Sequence, residues 1–248
     1  IEKHQEEWYD YKFRRFVSGN VQAVKFMDDV ADNLKKLVDS NDLCMRVPDA
    51  DVLSKILDEG RFKTQFETNT SRGTLDQDFR KEATKALFGA DVDELEPRDF
   101  EKYGYLGSSD LKKDFESNYA RQYGDIVVRF KKENLADRTT ITVGDSLGAE
   151  LIGVPVTKPS ALAFPARRLG GGISEAIKTG GNAFVEIYEK NDITDVNRII
   201  RDFDEIYFEL QYHGDLEISD IASITTEYEL DASIVGRLKD LGIKYNVV

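Results

Sequence analysis

The stretch DEIYFELQYHG, residues 204–214, alternates polar and apolar side chains with period two. As a strand it puts Glu205, Tyr207, Glu209 and Gln211 on one face and Ile206, Phe208, Leu210 and Tyr212 on the other. Most polar strand faces are simply solvated, but two carboxylates, a phenol and an amide in series beside a glycine turn can also line a cleft. A second polar concentration lies in RFKTQFETNTSRGT, residues 61–74, where an aromatic–polar alternation runs into Thr68, Asn69, Thr70 and Ser71. Threonines suit the pleated surface of an edge strand. An edge alone does not account for hydroxyls gathered at one end. A third candidate is Arg46 in Leu43-Cys44-Met45-Arg46-Val47, a strand arginine that pairs with a surface acid or binds a ligand. With only His4 and His213 in the chain, no histidine-based metal site is expected.

The elements that must position these groups follow from periodicity. Residues 2–38 read as helix, with Val21, Val24, Met27, Val30, Leu34 and Leu37 at three- and four-residue steps. Ser40-Asn41-Asp42 breaks it, and residues 43–47 make a short strand stopped by Pro48. Residues 49–58 form a helix with Val52, Ile56 and Leu57 inward and Gly60 as its C-terminal cap, and residues 61–70 form the next strand. Helical stretches around 75–88 and 109–122 flank a loop holding Pro97 and Tyr103-Gly104-Tyr105. Strands are expected at 125–130, 138–143, 184–188, 205–212, 218–224 and 245–248. Glycine and proline dominate residues 144–181, which read as loop or turn. The alternative is a phosphate-cradling loop before a helix at 173–178, but the pattern is neither a Walker sequence nor a GxGxxG after a strand.

Composition narrows the classes. A chain of 248 residues with 40% hydrophobic and 10% aromatic residues can bury a substantial core, so disorder is not expected despite 33% charged residues. A net charge of -13 argues against a nucleic-acid surface spread over the molecule. The single cysteine, Cys44, leaves no internal disulfide and fits a reducing destination. No run of 18 apolar residues predicts a membrane span, and residues 1–10 lack a secretory apolar core, so a soluble protein is expected.

Taken in order, several segments resemble a family of bacterial domains long labelled as having unknown function. They are Arg61 to Ser71, Leu87-Phe88-Gly89, Tyr103-Gly104-Tyr105-Leu106, Tyr123-Gly124, Arg138-Thr139-Thr140, Gly144-Asp145-Ser146 and Glu209-Leu210-Gln211-Tyr212-His213-Gly214. The resemblance runs over most of residues 46–224. That family is similar to a divergent branch of the mono-ADP-ribosyltransferases, whose signatures are a first-strand arginine, an aromatic-x-Ser-Thr-Ser pattern and a strand with the catalytic glutamate. Arg46 matches the first, Phe66-Glu67-Thr68-Asn69-Thr70 the second with threonines for serines, and Glu209 the third.

The resemblance implies an α+β fold, an ADP-ribosyltransferase-like split β-sandwich of two facing, mostly antiparallel sheets around an NAD cleft. It divides the chain into a helical N-terminal segment, 1–40, and a catalytic domain, 41–248, with an insertion around 75–145 that could recognise a target protein. It implies NAD as substrate and no metal. Glu209 would stabilise the cationic sugar that develops as nicotinamide leaves. Arg46 would hold ribose or pyrophosphate, Thr68 with Thr70 or Ser71 would fix the glutamate and the nicotinamide side, and Phe66 would stack on the ring. Tyr207 and Gln211, flanking Glu209, would face the acceptor. The implied activity is transfer of ADP-ribose to a protein, in the bacterial cytoplasm or, for a secreted effector or toxin, in a host cell. Two alternatives keep the fold: an NAD glycohydrolase, in which water replaces the target, and a catalytically silent protein-binding domain.

Overall fold

The computed structural model describes residues 38–71, 76–116, 118–143, 146, 154–155 and 208–248. Strand β1 (Asp42–Val47) leads into helix α1 (Ala50–Glu59), whose ends the sequence announces. The Asp49 carboxylate accepts the Val52 N–H at 2.9 Å, and Gly60 takes φ +78° so that its own N–H reaches the Ile56 carbonyl. Leu53 and Leu57 are the buried positions of this helix, with Val52 and Ile56 half-buried beside them.

The next segment departs from expectation. Only Arg61–Phe62 is strand (β2), and Gln65–Thr68 is a short helix, α2. Thr64-Gln65-Phe66-Glu67 is a capping box: the Thr64 hydroxyl accepts the Glu67 N–H at 3.2 Å, and the Glu67 carboxylate accepts the Thr64 N–H at 2.9 Å. Arg61 holds the same carboxylate at 3.0 and 2.5 Å. Two reciprocal bonds and an ion pair outweigh the strand preference of a short alternating pattern. Asn69, at φ +51°, closes the helix, so Thr68, Thr70 and Ser71 follow a helix end and not a strand end. Thr64 also donates to the Pro97 carbonyl at 2.5 Å. Thr64→Ala is therefore expected to lower stability by about 1 kcal/mol in denaturant unfolding, and an unchanged midpoint would remove the cap from the account.

Helix α3 (Gln77–Phe88) precedes β3 (Lys102–Gly107), then α4 (Leu111–Glu116), α5 (Asn118–Arg121), β4 (Ile126–Phe130), α6 (Lys132–Leu135), β5 (Thr139–Val143) and β6 (Val154–Pro155). After them come β7 (Phe208–Tyr212), β8 (Leu216–Glu217), β9 (Ile221–Thr226), α7 (Ala232–Asp240) and β10 (Lys244–Val247). Eight strands join in the order β10-β9-β4-β1-β3-β7-β5-β6, antiparallel throughout except for the β9–β10 pair. The fold is mixed α/β around a large, mostly antiparallel sheet. Among the described residues the second sheet is only the two-stranded β2–β8 pair.

Three expectations change. Tyr103-Gly104-Tyr105, read as part of a loop with Pro97, belongs to β3 in the middle of the sheet. A Cβ on Gly104 would lie 2.2 Å from the Cys44 carbonyl and 2.6 Å from the Tyr212 ring, so the glycine makes room for the Tyr212 side chain crossing it. The Tyr212 hydroxyl donates to that same carbonyl at 2.9 Å. The stretch around 75–145, expected as an insertion, supplies β3, β4 and β5 to the main sheet and so belongs to the body of the domain. Helix α7, absent from the sequence reading, packs Ile234 and Leu238 into the core. The expected helix before residue 38, the Gly/Pro loop with its candidate helix, the 184–188 strand and Tyr207 lie outside the described residues, as do Glu186 and Glu205.

The sheet has one apolar and one polar face. Leu43, Val47, Leu106, Ile126, Val128, Phe130, Ile141, Phe208, Leu210 and Tyr212 share the main core with α1 and α7. The alternate positions carry the polar groups. One register row reads Arg129, Cys44, Tyr105, Glu209, Thr142 across β4, β1, β3, β7 and β5, and the next reads Tyr103, Gln211, Thr140. These side chains are buried or half-buried nonetheless. Burying so many polar groups on one face is costly unless they are hydrogen-bonded to one another or serve a site.

Candidate functional site

A cavity of about 950 Å³ opens beside this polar face. It is lined by the end of β1, by α1, by the segment from Phe62 to Ser71, and by α3, β3 and β7. Five of the residues singled out in the sequence meet there: Arg46, Thr68, Thr70, Ser71 and Glu209. They come from three segments up to 163 positions apart, from Arg46 to Glu209. Arg46 and Glu209 lie on strands separated by β3, so their backbones are roughly 10 Å apart across the sheet.

Arg46 is buried, at 6% exposure, between the rings of Phe115 and Tyr105, with its guanidinium carbon 4.8 and 5.8 Å from their centroids. Nη2 donates to the carbonyls of Asp114 at 2.7 Å and Phe115 at 3.4 Å, and Nη1 reaches that of Gly124 at 3.5 Å. Its Nε hydrogen meets no acceptor among the described residues. Arg46 thus ties the end of α4 to the cavity wall while one buried donor stays available for a ligand acceptor.

Glu209, at 4% exposure, accepts from the Ser146 hydroxyl and, at 3.0 Å, from Gln211 Nε2. Gln211 is fully buried and does not line the cavity. Its amide lies among Thr140, Thr142 and Glu209, at 2.8, 3.1 and 3.0 Å, so the acceptor-side position expected for it is corrected to one behind the carboxylate. Phe66 likewise does not line the cavity: its ring stacks on Phe100 with centroids 3.8 Å apart, which removes it as the ring-stacking residue. Thr70 donates to Thr68 at 3.0 Å, and Ser71 accepts from Arg80 Nη2 at 3.2 Å, so two of the hydroxyls hold each other and the third is held by Arg80.

Sequence reasoning missed Arg80 and placed Tyr103 and Tyr105 in a loop. Arg80 is 4% exposed, with its guanidinium 5.6 Å from the Tyr103 ring centroid. The Tyr103 hydroxyl donates to Glu101 at 2.5 Å, and Glu101 also accepts from Thr84 at 2.8 Å. Burial, with the Glu101 carboxylate next in importance, pushes the Tyr103 phenol up, so it remains protonated at neutral pH. The only sequence signal for Arg80 is an arginine among charged helix positions, which looks the same on any solvated helix. Lys102 is also buried, and burial lowers its pKa; its Nζ donates to the Gly214 carbonyl at 2.8 Å.

Among the described residues the lining carries five cations, Arg46, Lys55, Lys63, Arg80 and Lys102, against Glu59 and Glu209. Lys63 and Glu59 neutralise each other at 2.6 Å, which leaves the described lining positive, with one buried carboxylate, in a chain of net charge -13. Such a cavity attracts an anionic ligand and can set one negative charge against a cation that develops within it. Among the described residues no helix is long and apolar enough to cross a membrane. No protein-family model matches this chain, and no curated protein matches it.

Proposed function

We propose that the protein is an NAD-dependent mono-ADP-ribosyltransferase with Glu209 as its catalytic carboxylate and the split β-sandwich of that family as its fold. The observation that carries this reading is the convergence of Arg46, Thr68, Thr70, Ser71 and Glu209 on one cavity with surplus positive charge. NAD is anionic at its pyrophosphate, and the sugar carbon becomes cationic as nicotinamide leaves. In this reading Arg46 Nε and Arg80 face the phosphate or ribose oxygens, the hydroxyls of Thr68, Thr70 and Ser71 orient the nicotinamide side, and Tyr103 takes the aromatic role first given to Phe66. Glu209 then supplies the negative charge that the developing cation requires. A protein substrate would receive the ADP-ribose, as for a bacterial effector or toxin.

The burial of Gln211 favours one second reading, an NAD glycohydrolase, because it removes the one described residue expected to address a protein acceptor. Incubation with labelled NAD and a cell lysate separates the readings. Labelled proteins are the expected result; free ADP-ribose alone gives the hydrolase, and an absence of both leaves a binding domain. Arg46→Lys keeps the charge but loses the planar fork and the Nε donor, so NAD should bind roughly ten-fold more weakly by calorimetry. The variant should also melt earlier, because three backbone carbonyls lose their donor. Unchanged affinity in a folded variant would confine Arg46 to its structural contacts.

A further inference from the structure

Glu209, Gln211 and His213 follow one another at alternate positions along and just past β7, and Thr142 and Thr140 stand opposite the first two on β5. Four contacts join the inner members into a chain. Thr140 Oγ1 lies 2.9 Å from His213 Nε2 and donates to Gln211 Oε1 at 2.8 Å; Gln211 Nε2 donates to Thr142 Oγ1 at 3.1 Å and to Glu209 Oε1 at 3.0 Å.

The hydrogens in this chain can be counted. A threonine hydroxyl has one hydrogen, and that of Thr140 goes to the Gln211 carbonyl oxygen. The remaining contact, to His213, then needs its hydrogen on Nε2. His213 is neutral at physiological pH, since burial lowers its pKa to about 4, and it packs edge-on against Phe88 at 4.8 Å. The imidazole is thus a neutral ring with one hydrogen, and the chain places that hydrogen on Nε2. With His213 donating to Thr140 and Thr140 donating to Gln211, the amide oxygen is held on the Thr140 side. The amide nitrogen is thereby held toward Glu209. Turning the amide over would set its oxygen against the carboxylate and leave two lone-pair groups facing each other in a buried site.

We propose that Gln211 is a positioning residue of this site, holding the Glu209 carboxylate toward the cavity beside the Ser146 hydroxyl, and that Thr140 and His213 fix the direction of its amide. The proposal rests on the transferase reading for what Glu209 does, but not for how Glu209 is held. It also accounts for a buried glutamine with three hydrogen-bonding neighbours on an inner sheet face, which packing alone would fill with an apolar side chain.

Two measurements test it. Nitrogen-15 NMR of the imidazoles, with His4→Gln used to leave His213 as the one histidine signal, should show the Nε2–H tautomer at neutral pH. The Gln211 side-chain amide resonance should move in Thr140→Val and in Glu209→Gln. An Nδ1–H tautomer, or an amide resonance indifferent to both changes, would overturn the proposal whether or not NAD is consumed. In turnover of NAD, Gln211→Met should lower kcat by about 10²-fold and Thr140→Val by about 10-fold, with KM little changed, because a displaced carboxylate affects the transition state more than binding. Thr140→Ser should restore the rate. In a Glu209→Gln background, Thr140→Val should cost nothing further, since its effect passes through the missing carboxylate. Equal added losses in both backgrounds would overturn the positioning role. If the parent protein consumes no NAD, the transferase reading falls, and the NMR result alone decides the hydrogen-bond chain.

Discussion

Glu209→Gln is expected to leave the fold and the affinity for NAD close to those of the parent protein and to lower NAD turnover by about 10² to 10³-fold, the loss typical of one preorganised electrostatic group. The substitution is nearly isosteric. It keeps an oxygen that can accept from Ser146 and Gln211, so the buried contacts of the carboxylate have a replacement. What it removes is the negative charge facing a cavity whose described lining is otherwise mostly cationic. A charge matters most where water is excluded, and at 4% exposure Glu209 is such a group. The measurement is NAD turnover beside calorimetric affinity. A variant that retains turnover while Glu205→Gln or Glu186→Gln abolishes it would move the catalytic carboxylate elsewhere, and a variant that loses binding and turnover together would make Glu209 a binding residue.

Asp114→Ala is expected to destabilise the protein by about 3–5 kcal/mol, because it leaves a buried arginine without its principal partner. The Asp114 carboxylate accepts from Arg129 Nη2 at 2.7 Å, from the Tyr105 hydroxyl at 3.1 Å and from the Ser108 N–H at 3.1 Å, with 1% of the Asp114 side chain and 6% of Arg129 exposed. Arg129 keeps a longer contact, 3.3 Å, to the partly exposed Asp42, and bonds to the Thr225 hydroxyl at 3.2 Å and the Ser108 carbonyl at 3.3 Å, none of them a buried charge. The loss reaches the site as well. The Asp114 backbone carbonyl is the nearest acceptor for Arg46, so a loosened α4 should weaken NAD binding beyond what the distance from the cavity suggests. Denaturant unfolding reads the first effect and calorimetry the second. A loss below roughly 1 kcal/mol would place this pair among ordinary surface ion pairs.

Much of this arrangement was written locally in the chain. The helix of residues 50–59 carries its own punctuation in Asp49 and Gly60, and the strands at 42–47, 126–130 and 139–143 follow from short runs of β-branched and apolar residues between breakers. The period-two pattern of Phe208 to Tyr212 separated Glu209 and Gln211 from the core side correctly, because alternation depends only on the strand itself. The capping box at Thr64 to Glu67 was equally local and was passed over for a weaker strand pattern.

What no local pattern holds is the partner of each group. Tyr103-Gly104-Tyr105 looks like a loop until Tyr212, more than a hundred positions later, lies across Gly104 and makes glycine a requirement of a central strand. Gln211 has the composition of a solvated residue and becomes a buried one only because β5 sets Thr140 and Thr142 opposite β7. Phe66 is a free aromatic in the sequence and a packed one against Phe100 in the fold. Arg80 is one more charge on a helix until Ser71 and Tyr103 surround it. Propensity, capping and alternation are properties of neighbouring residues, so the sequence by itself determined those elements that carry such local signals and which side chains share their strand faces. Burial and hydrogen-bond partnership depend on strand register across the sheet, and only the tertiary structure decided which of those polar groups face a ligand and which hold one another in place.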